Sequence, residues 1–301
     1  MSASGLRVAV VTVTYNSADA LSPFLSSLPG AFADVPYALV VADNSSRDDS
    51  VAIVREHDAA ATVLQLPTND GYAAGINAAI AAAPRTDAVL IANPDTRLQR
   101  GCIGSLLAAL DEPGVGITVP RLVDEHNNLQ YSLRRDATVA RVLGEAFLGG
   151  RRARRYAHLS RVVGNDDAYG STGEVEWASG ALLLISRACL DACGPWDESF
   201  FLYSEEEEFE QRARRRGFRI RYVPDAHAVH VGGEMHRSPE LWALGVVNSL
   251  RLYARDHGVL STTAYRGALV CNELLRVRGP AHRRALRALL SRDALTPGAR
   301  P

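Results

Sequence analysis

Several places in this sequence carry residues able to handle a polar or anionic ligand. Ser204-Glu205-Glu206-Glu207-Glu208 sets four carboxylates side by side, directly after the aromatic run Phe200-Phe201-Leu202-Tyr203. A carboxylate that is ionised near neutral pH can take a proton from a hydroxyl. Crowding raises the pKa of such acids, whereas a helix start lowers it. The same string also fits a capped helix start, with Ser204 and Glu207 as a capping box and acids favoured by the helix dipole. What sets it apart is the approach, Gly194-Pro195-Trp196-Asp197-Glu198 and then the aromatic run, which together suggest a partly apolar cleft wall beside the acids.

The other candidates each have a plain structural alternative. Asp43 opens Asp43-Asn44-Ser45-Ser46. It can accept the imide N–H of a pyrimidine ring or simply form an Asx turn. The string from Asn69 through Gly71, Tyr72 and Gly75 to Asn77 is a small-residue loop entering a helix. Its free N–H groups suit a phosphate or sugar, or it is an ordinary cap. Asn93-Pro94-Asp95 offers a hard oxygen ligand for a divalent ion on a diphosphate, or a β-turn. His227 and His230 follow Pro224-Asp225. Strand periodicity does not aim both at one ion, which leaves His230 as a metal or phosphate contact or as a structural histidine.

The elements that must position these residues alternate strand and helix. Strands are predicted over 8–13, 39–42, 62–66, 88–92 and 115–119, with helices over 17–28, 48–57, 73–83 and 101–110. Continuous apolar strands in this order imply a parallel sheet covered on both faces. Ligands of such sheets bind beyond the carboxyl ends of the strands, where Asp43 and Asn93-Pro94-Asp95 fall. Residues 121–172 read as an irregular, arginine-rich insertion. Residues 174–186 return to strand character. Helices are predicted over 187–193 and 205–216, strands over 218–223 and 228–231, and a helical segment from Pro239 onward. The last residues, 296–301, read as a loose tail.

A formal net charge of −1 gives no global basic field, which argues against nucleic acid as a partner. Four cysteines without a C-x-x-C pair read as reduced thiols in a cytosolic protein. No apolar run reaches the roughly 18 residues of a membrane span. The expected location is cytoplasmic, at most peripheral at the inner face of the cell membrane.

In order and spacing these segments resemble family 2 glycosyltransferases of the GT-A fold, in particular the rhamnosyltransferase-like branch. The resemblance runs over about residues 7–235. It is carried by Thr14-Tyr15-Asn16-Ser17, Asp43-Asn44-Ser45-Ser46, Asn69-x-Gly71-Tyr72 through Asn77, Asn93-Pro94-Asp95, the stretch from Gly180 to Arg187, Gly194-Pro195-Trp196-Asp197-Glu198, the run from Phe201 to Arg212, and Pro224 to His230. It implies a GT-A domain over 1–235, with a nucleotide-sugar half at 1–120 and an acceptor half at 121–235, and a helical extension over 236–301.

The resemblance also implies roles. Thr14, Tyr15, Asn16, Asp43, Asn69, Gly71, Tyr72, Asn77, Asn93 and Asp95 would form the donor site, with Asp43 reading the pyrimidine. Asp95 and His230 would hold a divalent metal, Mn2+ or Mg2+. Glu206 would be the base, supported by Trp196, Asp197, Glu198, Glu205 and Arg212. The chain departs from the family pattern at Glu206 and Glu208, where Asp is usual, and at Pro195 and Trp196, where Gly and Phe are common. The implied reaction is inverting transfer, with L-rhamnose from dTDP-rhamnose the first choice and galactofuranose or a hexosamine from a UDP donor the alternative.

Two readings from other classes were weighed. A nicotinamide oxidoreductase would need Gly-x-Gly-x-x-Gly where Thr12-Val13-Thr14-Tyr15-Asn16-Ser17 stands. A non-catalytic sugar-nucleotide-binding scaffold would be compatible with the Glu-for-Asp change. The acceptor is a glycan, lipid-linked or small-molecule hydroxyl. The arginine-rich 134–155 stretch and C-terminal helices suit an anionic bilayer, a polyprenyl diphosphate or simply solvent. Self-association as a homodimer is the remaining partner expectation.

Overall fold

The computed structural model describes residues 7–232, 235 and 238–296. The domain boundary expected between 235 and 236 falls where residues 233, 234, 236 and 237 lie outside the described set, as does the predicted tail apart from Thr296. The first half runs β1 (Val8–Thr14), α1 (Ala18–Phe32), β2 (Tyr37–Asp43), α2 (Ser50–His57), β3 (Thr62–Gln65), α3 (Tyr72–Ala82), β4 (Ala88–Ala92), β5 (Thr96–Leu98), α4 (Cys102–Leu110) and β6 (Val115–Val123). Then follow β7 (Leu133–Arg134), α5 (Val139–Leu148), α6 (Gly150–Ala153), β8 (Gly173–Val175), β9 (Trp177–Ala178), β10 (Leu182–Ser186), α7 (Arg187–Cys193), α8 (Glu205–Arg215) and β11 (Arg219–His230). Three helices close the chain: α9 (Pro239–Asp256), α10 (Val259–Leu275) and α11 (Pro280–Leu290).

The main sheet has the order β3-β2-β1-β4-β10-β6-β11-β5, with β8 on β11. Strands β3, β2, β1 and β4 are parallel, as expected. The expected fifth parallel neighbour, β6, does not pair with β4. Antiparallel β10 lies between them. The predicted strands 218–223 and 228–231 are one strand, β11, irregular between Val223 and His227 around Pro224. A proline has no N–H for the ladder, so an irregularity is where it fits. The predicted strand over 174–186 is three short strands, β8, β9 and β10. The stretch read as irregular holds a two-stranded β7–β9 sheet and the helices α5 and α6.

Every residue of β1 is buried because both sheet faces are covered. Val8 and Val10 face the layer of α1 and α4, while Ala9, Val11 and Val13 face α3, α7 and α8. A third core joins α5 to the C-terminal helices through Val142, Ala243, Leu250, Tyr265 and Leu289. The C-terminal segment is thus built onto α5 in the second half of the chain. It also reaches the site: the Asn248 amide of α9 donates to the carbonyls of Leu202 (3.0 Å) and Tyr203 (3.2 Å).

Gly71 begins α3 at φ +104°, and a Cβ there would lie 2.3 Å from the Phe201 carbonyl oxygen. That same carbonyl accepts from the Tyr72 N–H at 2.8 Å. Gly71→Ala therefore meets backbone on one side and a left-handed φ on the other. It is expected to cost at least ~1–3 kcal/mol of stability from the backbone strain alone, read as a lowered Tm. A Tm equal to that of the parent would refute the close packing of these two loops.

Candidate active site

The carboxyl ends of β1 and β2 meet in register at Thr14 and Asp43. The Thr14 hydroxyl donates to Asp43 Oδ1 at 2.8 Å, and the Ser46 N–H donates to Oδ2 at 3.0 Å. Asp43 is only 1 % exposed, so its carboxylate shapes the loop. Each oxygen retains a second lone pair for a ligand N–H. Asn16, at φ +52°, accepts from the Arg47 N–H and donates its own N–H to Ser46 Oγ, which laces the two loops together beside the exposed Tyr15. The Asn69 side chain accepts from the Gly71 N–H, and the Asn44 amide donates to the Gly71 carbonyl.

Asn77, expected in the donor-binding set, spends its amide on protein. It donates to the Trp196 carbonyl (2.9 Å) and Glu198 Oε1 (2.8 Å) and accepts from the Trp196 N–H (2.8 Å). The bonds tie α3 to the 194–198 loop. Trp196 is 2 % exposed and stacks on Phe209 with centroids 4.7 Å apart; Phe200 is 1 % exposed. These rings belong to the core, so they do not form the apolar cleft wall that the sequence suggested. Only Phe201, Leu202 and Tyr203 of the run remain half-buried. Arg212 bonds the carbonyls of Cys193 and Pro195, each at 2.8 Å, and Asp197 pairs with Arg255 of α9 at 2.5 Å.

Asp95 and His230 come together because β5 pairs with the end of β11, Thr96 opposite His230. His230 Nε2 lies 3.6 Å from Asp95 Oδ2, which also accepts from the Gly232 N–H at 2.9 Å. Asp95 Oδ1 is buried with no hydrogen-bond partner. Burial holds the His230 pKa below its usual value despite the Asp95 charge, so the ring is neutral at pH 7. Its Nδ1 sits 3.1 Å from Gln130 Oε1, and the Gln130 amide donates to the His230 carbonyl at 2.7 Å. With Nδ1–H donated to Gln130, Nε2 presents a lone pair toward Asp95. A partnerless carboxylate oxygen beside a neutral imidazole nitrogen suits a divalent cation. Among the described residues no third acidic, histidine or cysteine side chain joins them. Asn93 Oδ1 accepts from the Tyr72 hydroxyl at 2.6 Å.

The acid cluster opens α8 after two consecutive left-handed residues, Tyr203 (φ 69°) and Ser204 (φ 75°). Such a pair of non-glycine residues is strained and is found where function requires it. The expected capping box does not form: the Ser204 side chain makes no capping bond. Capping needs an extended N-cap residue, and a left-handed one turns its hydroxyl away. Glu207 instead pairs with Arg161 at 2.6 Å, and Glu208 pairs with Arg212 at 2.6 Å. Glu205 is 3 % exposed with Oε2 unpartnered. Of the four, Glu206 alone is not fully buried and forms no ion pair; its Oε2 is unpartnered. Gly180 makes room for it, since a Cβ there would lie 3.0 Å from Glu206 Cβ.

Burial pushes the Glu206 pKa up to about 7, with the Glu207 charge adding to it and Arg134 opposing. Glu205 is driven well above the carboxylate range by burial and by Glu206. The Tyr72 phenol feels Glu205, Glu206 and Asp95 at once, which puts it in electrostatic reach of both halves of the site. The arrangement offers a carboxyl with a pKa of about 7 at the start of α8 and a hard-ligand pair where β5 meets the end of β11.

Sequence reasoning gave no site role to Gln130, Arg134, Arg161, Gly180 or Asn248. Arg161 is 46 residues from its partner Glu207, and Gln130 is 100 from His230. No local spacing marks such pairs, and all but Gly180 and Asn248 lie in the stretch read as irregular. Arg161→Met would leave Glu207 buried and unpaired. A loss of about 3–5 kcal/mol is expected on removing one member of a buried pair. Urea unfolding checks it; a loss under about 1 kcal/mol would mean that water already compensates Glu207.

Comparison with known proteins bears on the family and the fold. The family model described as glycosyl transferase family 2 matches residues 9–164. N-acetylglucosaminyl-diphospho-decaprenol L-rhamnosyltransferase of Mycobacterium tuberculosis is 29% identical over 232 residues, covering 73% of this chain and 75% of that protein. Rhamnosyltransferase WbbL of Escherichia coli is 23% identical, covering 77% and 86%. A mannosyltransferase from Pyrobaculum calidifontis, solved with GDP-Man and Mn2+, shares the fold with a TM-score of 0.60 at 19% identity, over 94% of this chain and 74% of that one. With a family model matching just over half its residues and the GT-A fold carried through to its C-terminal helices, this chain belongs to glycosyl transferase family 2.

Proposed function

We propose that this glycosyltransferase moves L-rhamnose from dTDP-rhamnose, with inversion, to a hydroxyl of a lipid-linked glycan acceptor. The observation that supports the chemical part is the isolation of Glu206: the other three clustered glutamates are buried, two of them in ion pairs, and Glu206 alone is half-buried with no ion pair and an unpartnered Oε2. The rhamnose part is supported by the names of the two curated relatives, and the lipid-linked acceptor by the name of the mycobacterial one.

In this reading Asp43 accepts the thymine N–H, and the Asn69–Gly71 turn with the start of α3 takes the sugar-diphosphate. Asp95 and His230 would hold a divalent cation, which would supply positive charge to stabilise the leaving diphosphate. Tyr72, whose pKa burial raises well above that of a free phenol, stays a neutral donor and fixes Asn93. Glu206 takes the acceptor hydroxyl's proton as the oxygen attacks the anomeric carbon from the face opposite the nucleotide. The 194–198 loop, pinned by Asn77, Arg212 and Arg255, holds α8 in place for that approach.

A donor screen by thermal shift with Mn2+ tests the sugar assignment. At about a hundred times Kd a bound donor adds roughly 2.7 kcal/mol to the folded state. dTDP-rhamnose is expected to raise Tm more than UDP-N-acetylglucosamine or UDP-galactofuranose. A larger shift with a UDP-sugar would overturn rhamnose, and tight binding without turnover of any donor would favour the scaffold.

A further inference from the structure

The last turns of α5 and α10 meet at one corner of the molecule. The Arg276 guanidinium donates to the carbonyls of Glu145 (2.9 Å) and Ala146 (3.3 Å), closing the end of α5 with the end of α10. Large apolar side chains stand in the open there: Phe147 at 68 % exposure, Leu274 and Leu275 at 56 % each, with Leu148 and Val277 beside them. Arginines lie close by in sequence. Residues 146–164 contain five arginines and residues 274–292 six, with no aspartate or glutamate in either stretch. Arg151, Arg152, Arg155 and Arg278 are exposed, and none of them forms a salt bridge among the described residues.

We infer that this corner is a docking surface for an anionic lipid bilayer. Exposed apolar side chains with arginines close by in sequence are what a membrane interface accommodates: the phenylalanine and leucines enter the acyl boundary, and the guanidinium groups stay at the headgroups. The chain as a whole carries a net charge of −1, so the basic field is local to this corner. A second copy of the chain is the poorer occupant. A two-fold contact would set unpaired arginines against the same unpaired arginines. Charge complementarity therefore points to an acidic surface.

The corner is wired to the site. Glu145, one turn before Leu148, accepts from the Ser160 hydroxyl (2.7 Å) and the Arg161 N–H (2.8 Å). Arg161 in turn pairs with Glu207 beside Glu206. The inference rests on the proposed lipid-linked acceptor for its purpose and on the surface itself for its evidence.

The test is co-sedimentation of the full chain with vesicles and no substrate. Vesicles of phosphatidylglycerol mixed with phosphatidylcholine are expected to pull the protein down, and pure phosphatidylcholine is not. Raised salt should weaken the binding. Each arginine near such a surface is worth roughly a fivefold factor in partition, so Arg151→Gln with Arg152→Gln is expected to weaken binding about twenty-five-fold. Phe147→Ser with Leu275→Ser should also release the protein. Val259→Ser with Leu260→Ser should not: those residues are 82 % and 88 % exposed but lie at the opposite end of α10.

Unchanged melting curves establish that each variant is folded. Equal binding to both vesicle types, binding to neither, or full binding by the arginine variant would overturn the inference. So would a dimer in light scattering that Phe147→Ser dissolves, which would assign the corner to a second copy. Donor hydrolysis by the same preparations reads the transferase assignment separately. A protein that hydrolyses donor but ignores vesicles loses only the docking surface, and one that binds vesicles but hydrolyses no donor loses only the catalytic reading.

Discussion

Glu206→Gln is expected to lower kcat for sugar transfer by about 10²–10⁴-fold, the range of a general base, while leaving donor affinity within about twofold. The substitution keeps the shape beside Gly180 and removes only the charge. Because Glu207 and Glu208 are held by arginines and Glu205 is buried, no neighbour stands ready to take the proton. Kinetics of product release with donor binding by calorimetry separate the two effects. A variant that retains a tenth or more of the parent rate would move the base elsewhere. The same substitution should stabilise the protein above neutral pH. A carboxyl whose folded pKa is raised to about 7 contributes stability while protonated and loses it as pH climbs through that value. Ionising it costs on the order of 3 kcal/mol, so the Gln variant is expected to melt several degrees above the parent at pH 8 and level with it below about pH 5. A parent at least as stable as the variant at pH 8 would mean that Glu206 is ionised without penalty.

Asp95→Ala carries the second large effect. It removes the partnerless Oδ1 and the oxygen facing His230. Donor binding with Mn2+ is expected to weaken by at least about tenfold and to equal that of the parent once EDTA is present. Transfer should fall by roughly 10³-fold, several kcal/mol of charge stabilisation on the leaving diphosphate. Gln130→Leu probes the same pair one bond farther out. It frees the His230 ring to turn and should cost about 10–100-fold in metal affinity, the usual effect of a lost outer partner. Parent activity that survives EDTA would remove the metal from this account, along with the roles given to Asp95 and His230.

The donor end of the fold was legible because its signals are local. Apolar runs mark β1, β2 and β4, and the turn residues after them hold Thr14, Asp43 and Asn93 at one edge. The place of β10 was not legible, since nothing in Leu182–Ser186 states that it runs antiparallel between β4 and β6. In the acid cluster the string of four glutamates could not be sorted by spacing. Arg161 and Arg212 sort it, and the first of these comes from a stretch with no period to read. Asn77 is a related case: its position in a loop-to-helix string resembles a ligand contact, and its protein partners are 119 and 121 residues away. The C-terminal helices looked like an appendage because their pattern is regular. Only the bonds from Asn248 and Arg255 show that they hold the loop before α8.

The pH dependence of kcat/KM for transfer tests the central claim most directly, because it reports the ionisation of the free enzyme's base. The account expects the rate to climb through an inflection near pH 7, set by the burial of Glu206, with the climb absent from the residual rate of Glu206→Gln. A parent profile that is flat from pH 5 to 8, or a Gln variant showing the same inflection, would contradict it.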